Sequence, residues 1–192
     1  MSRNAKILIF ASILIYGLYT SFDDQENTYS GGAILDEQII NETEKVIKYN
    51  KTPENGFSPY DSYFGKGIYK NSTQNSFVIE NSNSTDAVVL LVNAYSNKKI
   101  RNEFIRKGET FSMTDVPNGT YYLRWLSGNN WHPEVMIGDL KGGFQKNVSA
   151  AQSDDEGDWM LCDGGVKWTI TLYSVIGGNM DTESITLQNF SN

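Results

Sequence analysis

The sequence predicts an all-β protein, an antiparallel β-sandwich of about eight strands. Short segments in which apolar and polar residues alternate recur about every ten residues, with Gly, Pro and Asn between them. The run Ala87–Tyr95 (AVVLLVNAY) is continuously apolar and β-branched, which is typical of a strand buried on both faces or at the centre of a sandwich. An N-terminal apolar segment and one short amphipathic helix are predicted to precede the sandwich.

Composition and charge limit the classes of function. Of the 192 residues, 39% are hydrophobic and 20% charged, a globular balance, and the net charge of −7 argues against binding nucleic acid. The single cysteine, Cys162, excludes an intrachain disulfide and a thiolate metal cage, and the single histidine, His132, excludes a His-rich metal site. The sequence therefore predicts no cofactor and no metal site built on these residues.

Residues 1–22 are predicted to be a signal peptide or a signal anchor. Arg3 and Lys6 precede the apolar run Ile7–Tyr19, and an acidic pair follows at Asp23 and Asp24. This charge asymmetry predicts an exported protein whose body lies outside, either membrane-anchored or periplasmic or extracellular. Cleavage of the segment is left open, as is the alternative of a buried core helix.

Residues 23–56 are predicted to form a linker and the short helix, and residues 57–192 the sandwich domain. The helix is expected between Ile34 and Tyr49, where apolar residues recur at helical spacing, and it should end before Pro53. The aromatic, glycine-punctuated segment from Phe57 to Tyr69 is expected to be an ordered loop or sheet edge. The next strands are predicted at Ser76–Glu80, Ala87–Tyr95 and Ile100–Arg106.

The clearest hairpin signal lies between Thr110 and Trp125. Two alternating runs flank Val116-Pro117-Asn118-Gly119, where proline favours a turn and Gly119 is expected at positive φ. This hairpin is predicted to lie at the centre of the core. After Trp125 the chain is expected to be irregular, with further strands around residues 135–137, 144–148, 168–173 and near Ile185, and with residues 153–158 as an acidic loop.

The segment Phe111–Tyr121, with its V-P-N-G-T-Y core, resembles a turn of transthyretin-like and carboxypeptidase-regulatory-like β-sandwiches in bacterial envelope proteins. The wider stretch from Ser58 to the C-terminus resembles an uncharacterised β-rich domain of exported bacterial proteins. Either resemblance implies a binding or structural module, with no catalytic residues to carry over.

Candidate catalytic and metal-binding groups are few. His132 would need an orienting carboxylate to act as a general base, and a loop histidine is the simpler interpretation. Cys162 follows an apolar pair and is interpreted as a small buried hydrophobe. The acidic run at 153–158 supplies oxygen ligands for calcium but lacks EF-hand spacing, so a solvated loop is the alternative.

Aromatic residues in predicted loops give the candidate binding site. Tyr60, Tyr63 and Trp131 are expected to form a shallow platform, with His132 at its rim, for a neutral glycan or an envelope protein. The alternative is that these rings cap the ends of the sandwich. The sequence thus favours a non-catalytic binding or accessory module of the bacterial cell envelope. Two alternatives stay open, a hydrolase using carboxylates of the acidic loop and a purely structural envelope domain.

Overall fold

A computed structural model describes residues 52–153, 156–173 and 181–192, all within one compact unit, Lys45–Asn192. The predicted signal segment 1–22 and the predicted helix between Ile34 and Tyr49 lie outside the described residues. Within the described ranges, no helix has the length and apolar character needed to cross a membrane.

The prediction of an all-β sandwich is confirmed, because strands in two sheets dominate the described residues and helices are few and short. The helices are α1 (Asp61–Phe64) and α2 (Leu187–Ser191), and a single 3-10 turn spans Glu156–Asp158. The described strands are β1 (Asn75–Glu80), β2 (Asp86–Asn93), β3 (Lys99–Ile105), β4 (Thr110–Val116), β5 (Gly119–Ile137), β6 (Leu140–Ser153), β7 (Met160–Cys162), β8 (Lys167–Thr171) and β9 (Thr182–Ser184).

The strands form one three-stranded and one six-stranded sheet. The small sheet has the order β4-β1-β8, in which β1 pairs antiparallel with β4 and parallel with β8. The large sheet has the order β3-β2-β5-β6-β9, and β7 pairs with the beginning of β5. All pairs of the large sheet are antiparallel.

The predicted central hairpin is wrong, although both of its strands exist. β4 pairs with β1 in the small sheet, whereas β5 pairs with β2, β6 and β7 in the large sheet. The segment at Pro117 and Asn118 therefore carries the chain from one sheet to the other. Gly119 is not at positive φ either, and Asp115 takes the left-handed conformation at φ 57°. Alternation shows which faces of a strand are buried, but not which strand is its neighbour.

The first of two hydrophobic clusters fills the space between the sheets. Strands of the small sheet contribute Phe77, Ile79, Met113 and Ile170, and the large sheet contributes the inward-facing residues of β2, β5 and β7. Tyr121 is buried here, with its ring edge-on to Phe77 at a centroid separation of 6.1 Å. This is the core expected of a sandwich.

The second cluster covers the outer face of the large sheet. It packs Val88, Leu90 and Val92 of β2 against rings from β3, from α2, from the residue that precedes α1 and from the far half of β5 and β6. Those rings are Tyr60, Phe104, Trp131, Phe144 and Phe190. Because both faces of β2 are covered, every residue from Asp86 to Val92 is buried, as its continuous apolar run predicts.

The irregular chain predicted after Trp125 is wrong, since β5 continues without a break to Ile137. Its pairing with β6 shifts register twice, between Ser127 and Asn129 and between His132 and Met136, and Asn130 has a φ of 56°. Such bulges bend a strand and turn its side chains, which breaks the alternation that identifies strands from sequence. The bent ribbon supplies Trp131, Ile137 and Phe144 to the second cluster.

Residues 53–68 cover the outer edge of β3, as expected for an ordered edge segment. Gly56 donates its N–H to the Phe104 carbonyl, and Phe104 donates to the Phe57 carbonyl, each at 2.7 Å. Ile68 donates to the Ile100 carbonyl at 2.9 Å. The edge that would otherwise be free to pair with another chain is thereby occupied. Of the residues that the sequence places in the linker, Gly56 is bonded to β3, and Pro53 and Asn55 accept hydrogen bonds from Arg106, the residue after this strand.

Candidate functional site

The structure brings three of the predicted site residues together but buries two of them. Tyr60 lies 6.4 Å from Trp131 and 6.5 Å from Tyr63, measured between ring centroids. Tyr60 is 0% exposed and Trp131 only 9% exposed, because both belong to the second cluster. The prediction of an exposed platform is therefore wrong, since these two rings are packed against protein and cannot stack on a ligand.

The polar atoms of Tyr60 are also committed to the fold. Its hydroxyl donates to the Gly142 carbonyl at 2.9 Å, and its backbone N–H donates to Asn102 Oδ1 at 2.7 Å. Burial raises the pKa of Tyr60 far above its ordinary value of 10.0, with a smaller contribution from Tyr63. Tyr60 is thus a buried tether between α1 and the sheet.

Tyr63 and His132 remain accessible. Tyr63 is 46% exposed, and its hydroxyl accepts the backbone N–H of Lys141 at 3.0 Å. His132 is half-buried, and its Nδ1 accepts the backbone N–H of Glu134 at 3.2 Å. The Nδ1 atom is therefore engaged with the backbone.

A pair of rings outside both clusters is the more prominent surface feature. Tyr95 is 80% exposed, and its ring meets that of half-buried Trp159 at a centroid separation of 5.8 Å and an interplanar angle of 85°. We call these two residues the ring corner. Leu161, two residues beyond Trp159, is 56% exposed and adds apolar surface on the same side of β7.

The turn between β2 and β3 fixes Tyr95. Asn93 Oδ1 accepts from both the backbone N–H and the hydroxyl of Ser96, at 3.0 and 2.8 Å. Asn97 has a φ of 54° and donates its N–H to the Asn93 carbonyl at 2.9 Å. Ala94 donates to the carbonyl of Thr120 on β5, also at 2.9 Å. The turn is held by its own side chains, so Tyr95 projects from an ordered backbone.

Trp159 is positioned from the other side of β5. It follows the 3-10 turn Glu156–Asp158 and directly precedes β7, whose Met160 and Cys162 point into the core between the sheets. Strand alternation therefore turns Trp159 and Leu161 to the outer face. β7 pairs Leu161 with Thr120, the residue that also accepts the N–H of Ala94. Both halves of the ring corner are thus anchored to one stretch of β5.

The polar atoms of the ring corner are not bonded within the described residues, in contrast to those of several other rings. Elsewhere the hydroxyls of Tyr121 and Tyr122 donate to Pro117 O and Asn97 Oδ1, and the Trp168 indole donates to Leu161 O. The Tyr95 hydroxyl and the Trp159 indole N–H make no hydrogen bond to any other described residue.

A buried ion pair occupies the inner face of β3. Arg101 Nε donates to Glu103 Oε1 at 2.6 Å, and Arg101 also donates to the Thr114 carbonyl of β4 and lies over the Tyr69 ring. Glu103 is 1% exposed, and its second oxygen, Oε2, has no hydrogen-bond partner among the described residues. Burial raises the pKa of Glu103 to about 7, against an opposing effect of Arg101 and with a small addition from Asp61.

Cys162 is buried, which confirms its interpretation as a small apolar residue, and burial raises the pKa of its thiol to about 11.

In the acidic run, Asp158 Oδ2 accepts the backbone N–H of Asp181 at 3.0 Å. Across the ranges 52–153, 156–173 and 181–192, no group of three or more His, Cys, Asp or Glu side chains is placed to hold a metal ion.

Comparison of the chain with protein-family models, with curated proteins and with solved structures found no match.

The sequence alone does not reveal the ring corner, because Tyr95 ends an apolar run that predicts a strand. The sequence signal available was the Ser96-Asn97 turn that follows it. Trp159 carries no comparable signal, since its partner is 64 positions away (159 minus 95).

Proposed function

We propose that this protein is a non-catalytic binding or accessory module of the bacterial cell envelope, exported or membrane-tethered through residues 1–22, with a neutral glycan or an envelope protein as its partner. The ring corner is the observation that supports binding. Tyr95 is 80% exposed on a turn held by side-chain hydrogen bonds, and Tyr and Trp are enriched at interfaces and among the residues that dominate binding. The charged and apolar segments at the N-terminus support export.

The hydrolase alternative has less support. A carboxylate pair must be accessible to a substrate, with one member protonated near neutral pH. Glu103 is the carboxyl whose pKa is raised to about 7, but it is 1% exposed and lies on β3, not in the acidic run. A substrate cannot reach it without opening the sandwich.

Export is tested with a reporter fused after Asn192 of the full chain. The proposal predicts reporter activity only outside the cytoplasm, and a matched fusion in which Ile9 and Ile13 are changed to Asp should stay inside, because charges disrupt the apolar run. A full-length fusion active in the cytoplasm would contradict the localisation.

Binding is tested by retention of the purified full-length protein on isolated envelope material. The proposal predicts saturable retention that is the same before and after heat inactivation of envelope enzymes, with no turnover of envelope polymers. A protein that is washed off completely, or one that releases soluble fragments, would contradict a non-catalytic binding module.

A further inference from the structure

We propose that the ring corner formed by Tyr95 and Trp159 is a binding site for the sugar rings of a neutral polysaccharide. This inference rests on the proposed binding function and narrows it. Of the two partners named there it selects the neutral glycan, and it assigns the ring corner as the surface that contacts the sugar.

The shape of the ring corner suits a sugar ring. A pyranose ring presents a flat face of C–H groups, which packs well on the face of an aromatic ring. Two rings at 85° with centroids 5.8 Å apart form a right-angled corner. One ring can stack on a sugar while the other contacts the edge of the same sugar or the next one. Tyr and Trp bring large contact areas with few rotatable bonds, so little side-chain entropy is lost on binding.

The polar atoms of the ring corner suit a ligand that is rich in hydroxyl groups. A sugar is ringed by hydroxyl groups, which must exchange their bonds with water for bonds with protein. The Tyr95 hydroxyl and the Trp159 N–H are the polar atoms of the corner, and neither is bonded to another described residue. A purely apolar partner would leave both without a bond, whereas sugar hydroxyls would satisfy them.

The charges around the ring corner disfavour an anionic ligand. Glu156 and Asp158 immediately precede Trp159, and Asp158 Oδ2 holds Asp181 beside the same turn. These three acidic residues outnumber Lys98 and Lys99, which follow the turn that carries Tyr95, so the border disfavours polyanions such as nucleic acids or uronic-acid polymers. The net charge of −7 for the whole chain acts in the same direction.

The site is also rigid in advance. Tyr95 is fixed by the Asn93–Ser96 hydrogen bonds, and Trp159 by the pairing of β7 with β5. Binding therefore costs little ordering of the backbone, which favours even a small site.

The test uses the purified full-length protein and a panel of neutral probes, namely cello-, malto-, xylo-, manno- and chito-hexaoses, with polygalacturonate as the anionic probe. We expect at least one neutral hexaose to bind with a measurable Kd by calorimetry and to displace the protein from isolated envelopes. Trp159→Ala and Tyr95→Ala should each weaken binding at least tenfold, and Tyr95→Phe a few-fold, because it keeps the ring and loses the hydroxyl.

Phe57→Ala is the matched control, because Phe57 is an exposed ring (50%) beside Phe104 at the other end of β3, and its loss should leave the Kd unchanged. The inference is overturned if no neutral hexaose binds, if polygalacturonate binds more tightly, or if the corner variants bind like the unaltered protein. Retention on envelopes that is abolished by protease treatment of the envelopes would overturn the sugar site and identify a protein partner. The absence of any retention, or the release of soluble fragments from the envelopes, would count against the proposed function itself.

Discussion

Two groups of aromatic rings in this domain use the same chemistry for opposite purposes. In the second cluster, Tyr60 and Trp131 are buried against neighbouring rings, and the Tyr60 hydroxyl is bonded to the Gly142 carbonyl. In the ring corner, Tyr95 and Trp159 touch each other, with Tyr95 80% exposed and its hydroxyl bonded to no other described residue. The comparison teaches that burial separates the rings that stabilise the fold from the exposed pair, and that the hydroxyl group makes the same distinction between Tyr60 and Tyr95.

The largest expected effect comes from removing a ring of the buried group. Trp131→Ala should lower the free energy of unfolding by about 3–5 kcal/mol, because it deletes a large buried side chain and leaves a cavity. The centroid of the Trp131 ring lies 5.3 Å from those of both Phe104 and Phe144. Urea unfolding monitored by far-UV circular dichroism measures the change. A loss below about 1 kcal/mol would show that Trp131 is not part of the core.

The comparison between buried and exposed groups extends to charge at Glu103. Its folded pKa of about 7 lies above the ordinary value of 4.5, so folding favours the protonated carboxyl. The resulting stability is complete below pH 4.5 and is lost as the pH rises through 7, on the order of 3 kcal/mol in all. Glu103→Gln should abolish this part of the pH dependence, since an amide does not ionise.

Unfolding free energies of both proteins at several values between pH 5 and pH 8 test this prediction. As the pH rises, the unfolding free energy of Glu103→Gln should increase steadily relative to that of the unaltered protein. The other titrating groups are common to both proteins and cancel in this difference. A constant difference across that range would mean that Glu103 is ionised throughout, held by Arg101 at 2.6 Å.

The packing of the second cluster can also be tested by adding a methyl group at a glycine beneath it. A Cβ atom at Gly128 would lie 2.4 Å from Cβ and 2.6 Å from Cγ of Phe144, atoms too close to the backbone to move aside easily. Gly128→Ala should therefore destabilise the domain by about 1–3 kcal/mol. An unchanged midpoint of thermal unfolding would show that this side of β5 is less tightly packed than described.

The fold could be predicted from the sequence further than the site. The continuous apolar run of Ala87–Tyr95 correctly indicated a strand covered on both faces, and alternation located most strands. The partners of β4 and β5 could not be predicted, because the same alternation suits a hairpin and a crossing between sheets. The fate of Tyr60 and Trp131 also depended on bulges in β5 that bring distant residues over the sheet.

The smallest expected effect isolates the hydroxyl groups of the two ring types. Tyr60→Phe should cost about 1 kcal/mol of unfolding free energy, because the Gly142 carbonyl loses a buried hydrogen bond. Tyr95→Phe should leave stability unchanged, since its hydroxyl is bonded to no other described residue. Paired urea titrations resolve this difference, and equal costs for the two variants would erase the distinction.

The most direct test of the claim that Trp159 serves binding is a paired measurement on Trp159→Ala. Its unfolding free energy and its retention on isolated envelopes are determined on the same sample. The account predicts a smaller loss of stability than for Trp131→Ala, together with a loss of retention of at least tenfold. Trp159 is only half-buried, and its edge-to-face pair with Tyr95 adds at most about 1.5 kcal/mol to the contribution of its buried area. A variant that unfolds as readily as Trp131→Ala, or one that is retained like the unaltered protein, would contradict the assignment of this ring to binding.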